Sequence, residues 1–366
     1  VGFLPAAMIP VARLQRDLSW WRQRLVDVAG PLAGVVVTLP LAIAGAGVWS
    51  LVAGQLASMC AQTLVLWVRA PRRPRLLRRL PPGALRQFLD FGIPLWAAGV
   101  LGAVAINVVM FTVATTIGLV ALGFFRIAAS LGDRIDRAEL VLTQVLFPVL
   151  CRVRDEARLR RAFVLSSRLI LLWAVPAGVG LAVFAPEITH LVLGGTWEHA
   201  PPGSGVGSLV PLLRVEGLGE VLNAIATTWA VYYEAAGRTR AVLPMTVAVW
   251  TSMVAGSAIL GHLYGYGGLV ATLAITGVVG LVIRRRQMRL LFPGIAVLGP
   301  CLPLLAAGGA AAGAALLAAR PLPGLGAGAT AARVAIFLGV YGAIAVIAER
   351  GTLRETLQLA RTRPSR

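Results

Sequence analysis

Lysine is absent from this sequence, and charged residues of any kind are scarce. Asp, Glu and Arg make up 13% of the 366 residues, whereas hydrophobic residues make up 58%. A soluble domain carries about 25% charged residues, so this composition excludes a soluble globular enzyme. The 41 Gly and 22 Pro follow no repeat period, which excludes a collagen-like fibre. The class that remains is a membrane protein whose chain crosses the bilayer several times.

Cysteine is also rare. Cys60, Cys151 and Cys301 lie far apart, in or beside apolar segments, and their spacing matches neither a disulfide framework nor a metal-binding motif. The sequence therefore predicts no metal site and no cofactor.

Long apolar segments are what the sequence has in abundance. A helix needs about 20 predominantly apolar residues to cross the hydrocarbon core of a bilayer. Ten segments of about this length occur, at 26–44, 46–68, 91–113, 122–148, 162–184, 206–232, 242–262, 266–283, 295–318 and 331–348. The predicted fold is an all-α polytopic membrane protein of about ten transmembrane helices, with external loops too short to form a catalytic domain.

Arginine carries all of the positive side-chain charge. The 34 arginines exceed the 15 acidic residues and give a net charge of +19. The excess could suggest a nucleic-acid partner, but the arginines form short clusters between apolar segments, as in cytoplasmic loops. With the spans above, 28 arginines fall on one side of the membrane and only Arg320 and Arg333 on the other. We predict cytoplasmic Arg-rich loops, with Arg75 and Arg158 inside and Thr196 outside, and no nucleic-acid binding.

Four short motifs in the first 290 residues occur in an order and spacing typical of one transporter family. They are Gly47-Val48-Trp49-Ser50-Leu51-Val52-Ala53, Phe91-Gly92, Phe147-Pro148 before an Arg/Asp-rich loop, and Leu193-Gly194-Gly195-Thr196-Trp197 before Ala200-Pro201. Each motif is weak alone. Together they resemble the polysaccharide-exporter branch of the multidrug/oligosaccharidyl-lipid/polysaccharide (MOP) flippase superfamily.

The resemblance implies a MATE-like bundle of twelve or fourteen helices, arranged in two lobes around a central cavity. It implies a polyprenyl-diphosphate-linked glycan as substrate, the bacterial inner membrane as the location, and glycosyltransferases and a polymerase of a polysaccharide pathway as possible partners. Residues 1–80 would end the first lobe, 81–290 would form the second lobe, and 291–366 would add two helices and a basic tail. Family members have four helices before the segment Arg13–Arg24, so either the chain is truncated or it is a short paralogue.

A polar stripe follows one face of the predicted span 122–148. At 100° per residue, Arg126, Ser130, Asp133, Arg137 and Gln144 fall within a narrow sector, while Arg134, Asp136 and Glu139 lie off it. Charged residues inside a span are functional candidates, because they need a cavity or a partner. Arginine suits a diphosphate, since its planar fork binds phosphate oxygens in pairs. The alternative is that residues 133–139 form an interfacial turn whose charges reach cytoplasmic water.

A second polar stripe lies in the predicted span 206–232. Glu216, Glu220, Asn223 and Thr227 share a face, and Arg214 lies on the opposite side. We assign Arg126, Ser130, Arg137, Gln144 and Arg214 to a substrate cavity. Asp133, Glu216, Glu220 and Asn223 are assigned to ion coupling or charge pairing, because two carboxylates one turn apart repel and could share a proton. The alternative for the two glutamates is that they are structural partners of an arginine.

Three functions fit a basic, polytopic chain. The favoured one is a flippase or exporter of a lipid-linked saccharide that works by alternating access. A membrane-embedded glycosyltransferase or glycan ligase would need an acidic pair or a catalytic loop at the outer surface, where only Glu187 and Glu198 occur in a short loop. A multidrug antiporter of the same superfamily is the third, but an arginine-rich cavity would repel cationic drugs. The sequence therefore predicts a transporter and not an enzyme.

Overall fold

A computed structural model describes residues 20–69, 83–150, 156–194, 197–225, 227, 229–235, 237–291, 293, 298–320, 324–348 and 350. Within these ranges the chain forms ten α-helices of seven residues or more. They are α1 (Trp20–Ile43), α2 (Val48–Arg69), α3 (Ala84–Thr116), α4 (Leu119–Leu150), α5 (Glu156–Val183), α6 (Val210–Ala224), α7 (Trp229–Ala235), α8 (Val242–Leu291), α9 (Leu302–Ala318) and α10 (Ala327–Ala348). The contacts divide the chain into two compact units, Val1–Leu85 and Arg86–Arg366.

The first unit contains a helical hairpin. Gly45 (φ 80°) and Gly47 (φ 52°) adopt left-handed conformations that glycine accepts without strain, and they reverse the chain between α1 and α2. The helices then approach closely, because a Cβ on Gly54 would overlap the Thr38 side chain. The two spans predicted at 26–44 and 46–68 are therefore confirmed as the two helices of a hairpin.

A second reversal occurs inside α8 of the second unit. Gly265 has non-helical angles (φ 56°, ψ −132°) and separates α8 into two arms. The arms lie side by side, since Ser252 Oγ is 3.5 Å from Thr276 Oγ1 and a Cβ on Gly256 would lie 2.6 Å from Thr272 Cγ2. The two spans predicted at 242–262 and 266–283 are therefore confirmed.

The single span predicted at 206–232 is wrong. Helix α6 starts only at Val210 and ends at Ala224, where Ile225 takes an extended conformation (ψ 114°), and α7 starts at Trp229. The 15 residues of α6 span about 22 Å, which is less than the roughly 30 Å of a hydrocarbon core. Ile225 is buried, so the chain breaks the helix without losing hydrophobic contact. Apolar character continues through the break, which is why hydropathy does not reveal it.

Helix α5 is at the centre of the second unit. It packs against α4, α6 and α9, and its crossing with α6 is so close that a Cβ on Gly178 would lie 2.5 Å from the carbonyl oxygen of Gly217. Two edge-to-face ring pairs stabilise the position of α5. Near its start, Phe163 packs on Tyr232 with centroids 5.1 Å apart; one residue past its end, Phe184 packs on Phe337 with centroids 5.6 Å apart.

The outer surfaces of the helices are apolar. Leu, Val, Ile, Phe and Trp side chains are exposed along α1, α2, α3, α8 and α10, as expected for contact with lipid. Within the described residues, six helical stretches are long and apolar enough to cross a membrane: Leu25–Ile43, Val48–Val68, Phe88–Thr116, Arg161–Val183, Thr239–Leu290 and Ala327–Ala348. Helix α4, with 32 residues, is long enough to cross a membrane, but six charged residues lie between positions 126 and 139.

The two ends of the second unit differ in charge. At one end, Tyr233 Oη donates to the Gln287 carbonyl at 2.6 Å, and Gln287 Nε2 donates to the Ala241 carbonyl at 2.8 Å. These contacts bring together the end of α7 and both ends of α8. We call this region the arginine end, because it carries Arg238, Arg240, Arg284, Arg285, Arg286 and Arg289. At the opposite end, Phe124 contacts Trp197 with centroids 5.3 Å apart. Clustering of arginine at one end agrees with the bias read from the sequence.

Candidate functional site

A polar network joins α4, α6 and α8 near the arginine end. Asn223 Nδ2 donates to Asp136 Oδ1 at 3.2 Å. The guanidinium of Arg284 donates to both the backbone carbonyl and the side-chain oxygen of Asn223. All three side chains are partly buried. The amide of Asn223 thus bridges an acid on α4 and a base on α8, and three helices converge on one residue.

Next to this network, two carboxylates of α6 lie against the backbone of α4. A Cβ on Gly132 would lie 2.7 Å from Glu216 Oε1 and 2.9 Å from Glu220 Oε1, so both side chains occupy the space that glycine leaves. Asp133 and Asp136 are near enough to Glu216 for their negative charges to act on it. The carboxylates of Asp136, Glu216 and Glu220 therefore lie together at the α4–α6 interface, with exposed Asp133 beside it. Such a group can hold a cation or a proton, or it can pair with nearby arginine.

The polar stripe of α4 lies on a different face of that helix. Arg126, Ser130, Asp133 and Arg137 are all exposed within the unit. Arg126 Nη1 is 3.8 Å from Met110 Sδ on α3, and Ser130 Oγ donates to the Ile127 carbonyl at 2.9 Å. Among the ion pairs of the described residues, none joins Asp133 to Arg137. Both arginines are thus available to a ligand on this face.

Residues 133–139 are α-helical within α4 and therefore do not form a turn; the position of their charges relative to the membrane surface stays a prediction. Helix α4 is regular from Arg126 to Arg137, so these two arginines lie on one face, about 16 Å apart along the helix axis. Gln144 belongs to the same helix, but its side chain lies outside the described ones.

Helix α6 presents its two polar sides differently. Arg214 is exposed, whereas Glu216, Glu220 and Asn223 are partly buried. The sequence separates Arg214 from the glutamates correctly, since they point to different sides of the helix. The glutamate side faces α4, while nothing in the described contacts brings Arg214 to the α4 stripe.

A sequence profile described as polysaccharide biosynthesis protein matches residues 3–202, which is more than half of the chain. The chain belongs to the polysaccharide biosynthesis protein family.

One curated relative of this family member is the succinoglycan biosynthesis transport protein ExoT of Rhizobium meliloti (strain 1021). It is 24% identical over 243 residues, which cover 61% of this chain and 48% of ExoT. The chain therefore spans about half the length of that relative.

Solved structures show the same fold. The lipid II flippase MurJ in an inward closed conformation superposes with a TM-score of 0.59 and 14% identity, covering 88% of this chain and 67% of MurJ. A crystal structure of MATE in the straight conformation superposes with a TM-score of 0.57 and 17% identity, covering 73% of this chain and 62% of MATE. The fold is thus all-α and MATE-like, and the polysaccharide biosynthesis family member is a multi-pass membrane protein.

Two residues of the α4–α6–α8 network were missed at the level of sequence. Asp136 falls off the predicted stripe, and Arg284 is the first of a run of three arginines that the positive-inside rule assigns to a loop. The structure instead directs Arg284 inward. Sequence spacing offered one signal, since Arg284 lies one turn before Met288 on the same face, and Met288 is fully buried.

We expect Gly132→Ala to disrupt this site, because the added methyl group would overlap both Glu216 and Glu220. The matched control is Gly123→Ala in the same helix, where a Cβ has no neighbour within 4 Å. The control should be neutral or stabilising by up to about 1 kcal/mol through helix propensity, whereas Gly132→Ala should be less stable than the control by about 1 kcal/mol, because the two flexible glutamate side chains must move away from the methyl group. Thermal unfolding of the purified protein in detergent measures both, and equal stability of the two variants would contradict the close approach.

Proposed function

We propose that this polysaccharide biosynthesis family member forms part of a transporter that moves a polyprenyl-diphosphate-linked glycan across the bacterial inner membrane by alternating access. The observation that carries the proposal is the exposed stripe of Arg126, Ser130, Asp133 and Arg137 on a helix of a MATE-like bundle. Charged residues on such a helix need water or a ligand beside them. Arginine is the side chain best suited to a diphosphate.

The relatives support this proposal. ExoT is named as a transport protein of succinoglycan biosynthesis, and MurJ as a flippase of lipid II. Neither name describes an enzyme, so we propose a transport function without catalysis. Glycosyltransferases and a polymerase of the same pathway are the partners that this function implies.

In this proposal Arg126 and Arg137 contact the diphosphate, and Ser130 and Gln144 add hydrogen bonds along the same face. The 16 Å between the arginines exceeds the length of a diphosphate, so they bind it at successive positions. Arg214 is proposed as a further cation of the cavity wall. Asp133, Glu216, Glu220 and Asn223 are proposed for ion coupling, with the alternative that the acids only balance the charge of nearby arginine.

The transport assay tests the function directly. The full-length gene product, reconstituted in vesicles, should move a polyprenyl-diphosphate-linked saccharide to the opposite leaflet, where a membrane-impermeant lectin detects it. Protein-free vesicles give the background. A glycosyltransferase would change the length of the glycan without moving it, and an antiporter would move a cationic dye and leave the lipid in place. Either result would refute the proposal.

Orientation is tested separately, on a protein whose native cysteines are replaced by alanine. We propose that the arginine end is cytoplasmic, so cysteines at Arg161 and Arg238 should be protected from an impermeant thiol reagent in intact cells. A cysteine at Arg320 should react. Permeabilised cells, in which all three cysteines should react, are the control. Labelling of the cysteine at position 161 in intact cells would show that the orientation is opposite to the one proposed. Positions 161, 238 and 320 are used in place of Arg75, Arg158 and Thr196. Arg75, Thr196 and the side chain of Arg158 lie outside the described residues.

A further inference from the structure

The last turns of α8 carry a basic groove on the side away from the core. The groove has a volume of about 390 Å³. Its lining residues are spaced as one helical face: Val282, Arg285, Arg286, Arg289 and Leu290. All three arginines are exposed, as are Val282 and Leu290.

The opposite face of the same turns does the packing. Arg284 bonds to Asn223, Gln287 bonds to the Ala241 carbonyl, and Met288 is fully buried. These three residues hold the end of α8 against the rest of the unit. The outward arginines are therefore not needed for that packing, and their charge is left for another partner.

Three positive charges within five residues repel one another, since residues three and four apart are neighbours on a helix surface. Within the described part of the chain, no ion pair includes Arg285, Arg286 or Arg289. An anionic group in the groove would neutralise this repulsion. The groove also offers apolar surface on both sides of the charges, at Val282 and Leu290.

We propose that this groove binds the headgroup of an anionic phospholipid. The arginines contact the phosphate, and Val282, one turn further from the helix end, contacts the first carbons of an acyl chain. A free phosphate would use the charges but gain nothing from Val282 and Leu290. Basic clusters at the membrane surface bind anionic lipids in this way, with each arginine strengthening binding by about fivefold.

Native mass spectrometry of the full-length gene product with added lipid tests the site. Wild-type protein should retain dioleoyl phosphatidylglycerol or tetraoleoyl cardiolipin in preference to dioleoyl phosphatidylcholine. The triple variant R285Q/R286Q/R289Q should lower the retained anionic lipid by about a hundredfold, or about fivefold for each single variant. The substituted side chains are exposed, so thermal unfolding should be unchanged.

The matched control removes the same charge from the arginine end, at the exposed residues Arg86, Arg161 and Arg238. Arg86 lies there because its partner Asp90 also pairs with Arg240, and Arg161 because nearby Phe163 packs on Tyr232. The triple variant R86Q/R161Q/R238Q should retain the lipid almost as well as wild type. Equal loss in both triple variants would show that only net charge matters and would overturn the site. Displacement of the lipid by millimolar inorganic phosphate, or stronger retention of a polyprenyl diphosphate at the same arginines, would overturn the assignment to a phospholipid.

Discussion

Arg126→Ala and Arg137→Ala should each reduce transport of a lipid-linked glycan by at least tenfold while the protein remains folded and inserted. In the proposal each substitution removes charge-assisted hydrogen bonds to a phosphate, and such bonds contribute about 1.5–3 kcal/mol each. Both side chains are exposed on one face of α4, so their loss should not disturb packing. The vesicle assay of lipid movement, with protein abundance in the membrane held equal, measures the effect.

Arg→Lys substitution decides between phosphate binding and a simple charge requirement. A lysine at position 126 or 137 should restore little activity, because a point charge does not reproduce the planar fork of a guanidinium. If the stripe only needs side chains that reach water, lysine should serve as well as arginine. Full transport by both Lys variants would remove these residues from the binding site.

Two further substitutions calibrate the result. Arg134→Ala removes an exposed arginine from the same helix but off the stripe, and it should leave transport near wild type. Asp133→Asn should reduce lipid movement less than loss of either stripe arginine, because in the proposal Asp133 serves ion coupling and does not contact the diphosphate. A loss for Arg134→Ala equal to that for Arg137→Ala would show that the stripe is not a distinct surface.

Arg333→Met should destabilise the second unit by about 3–5 kcal/mol, because it leaves the buried carboxylate of Glu187 without its ion partner. Arg333 Nη2 lies 2.8 Å from Glu187 Oε1, and the side chains are only 10% and 6% exposed. The pair connects α10 to the short helical turn Ala185–Glu187 that follows α5. Thermal unfolding in detergent, followed by tryptophan fluorescence, measures the loss.

The double variant Glu187→Gln/Arg333→Met distinguishes two costs: loss of the attraction between Arg333 and Glu187, and burial of an unpaired Glu187 carboxylate. Removing both charges should recover most of the stability, since much of the cost in the single variant comes from the unpaired buried carboxylate. Arg320→Met is the matched control, because Arg320 is exposed at the same end of the unit, and it should change stability by less than about 0.5 kcal/mol. A double variant as unstable as Arg333→Met would contradict this account.

The family and fold are established by comparison with known proteins, whereas the proposed site residues rest on contacts within this chain. The sequence profile and the superpositions establish family and fold, but identities of 14% and 17% carry no residue roles. The roles proposed for α4 and α6 rest on this chain's own contacts. The division of the chain at residues 80 and 290 stays a prediction, although contacts place a boundary between Leu85 and Arg86.

Composition and local pattern were sufficient to predict three features: the membrane class, the pairs of spans on either side of Gly45–Gly47 and of Gly265, and the clustering of arginine at one end. Each of these depends on length, hydropathy or a backbone angle that glycine permits, and all three are local properties. Helical periodicity also grouped Arg126, Ser130, Asp133 and Arg137, which are all exposed on α4, but it extended the second stripe to Thr227, which lies beyond the end of α6 at Ala224. It reports which side chains share a face, because that depends only on 100° per residue.

The tertiary structure alone decided which neighbour each face meets. Asp136 and Arg284 face Asn223 although spacing assigned one to an off-stripe position and the other to a loop. The break after Ala224 was equally invisible. The physical reason is that lipid tails and helix interfaces are similarly apolar, so hydrophobicity cannot distinguish a face that meets lipid from one that meets protein. Only close approaches such as Gly132 to Glu216 and Glu220, fixed by the packing of whole helices, make that distinction.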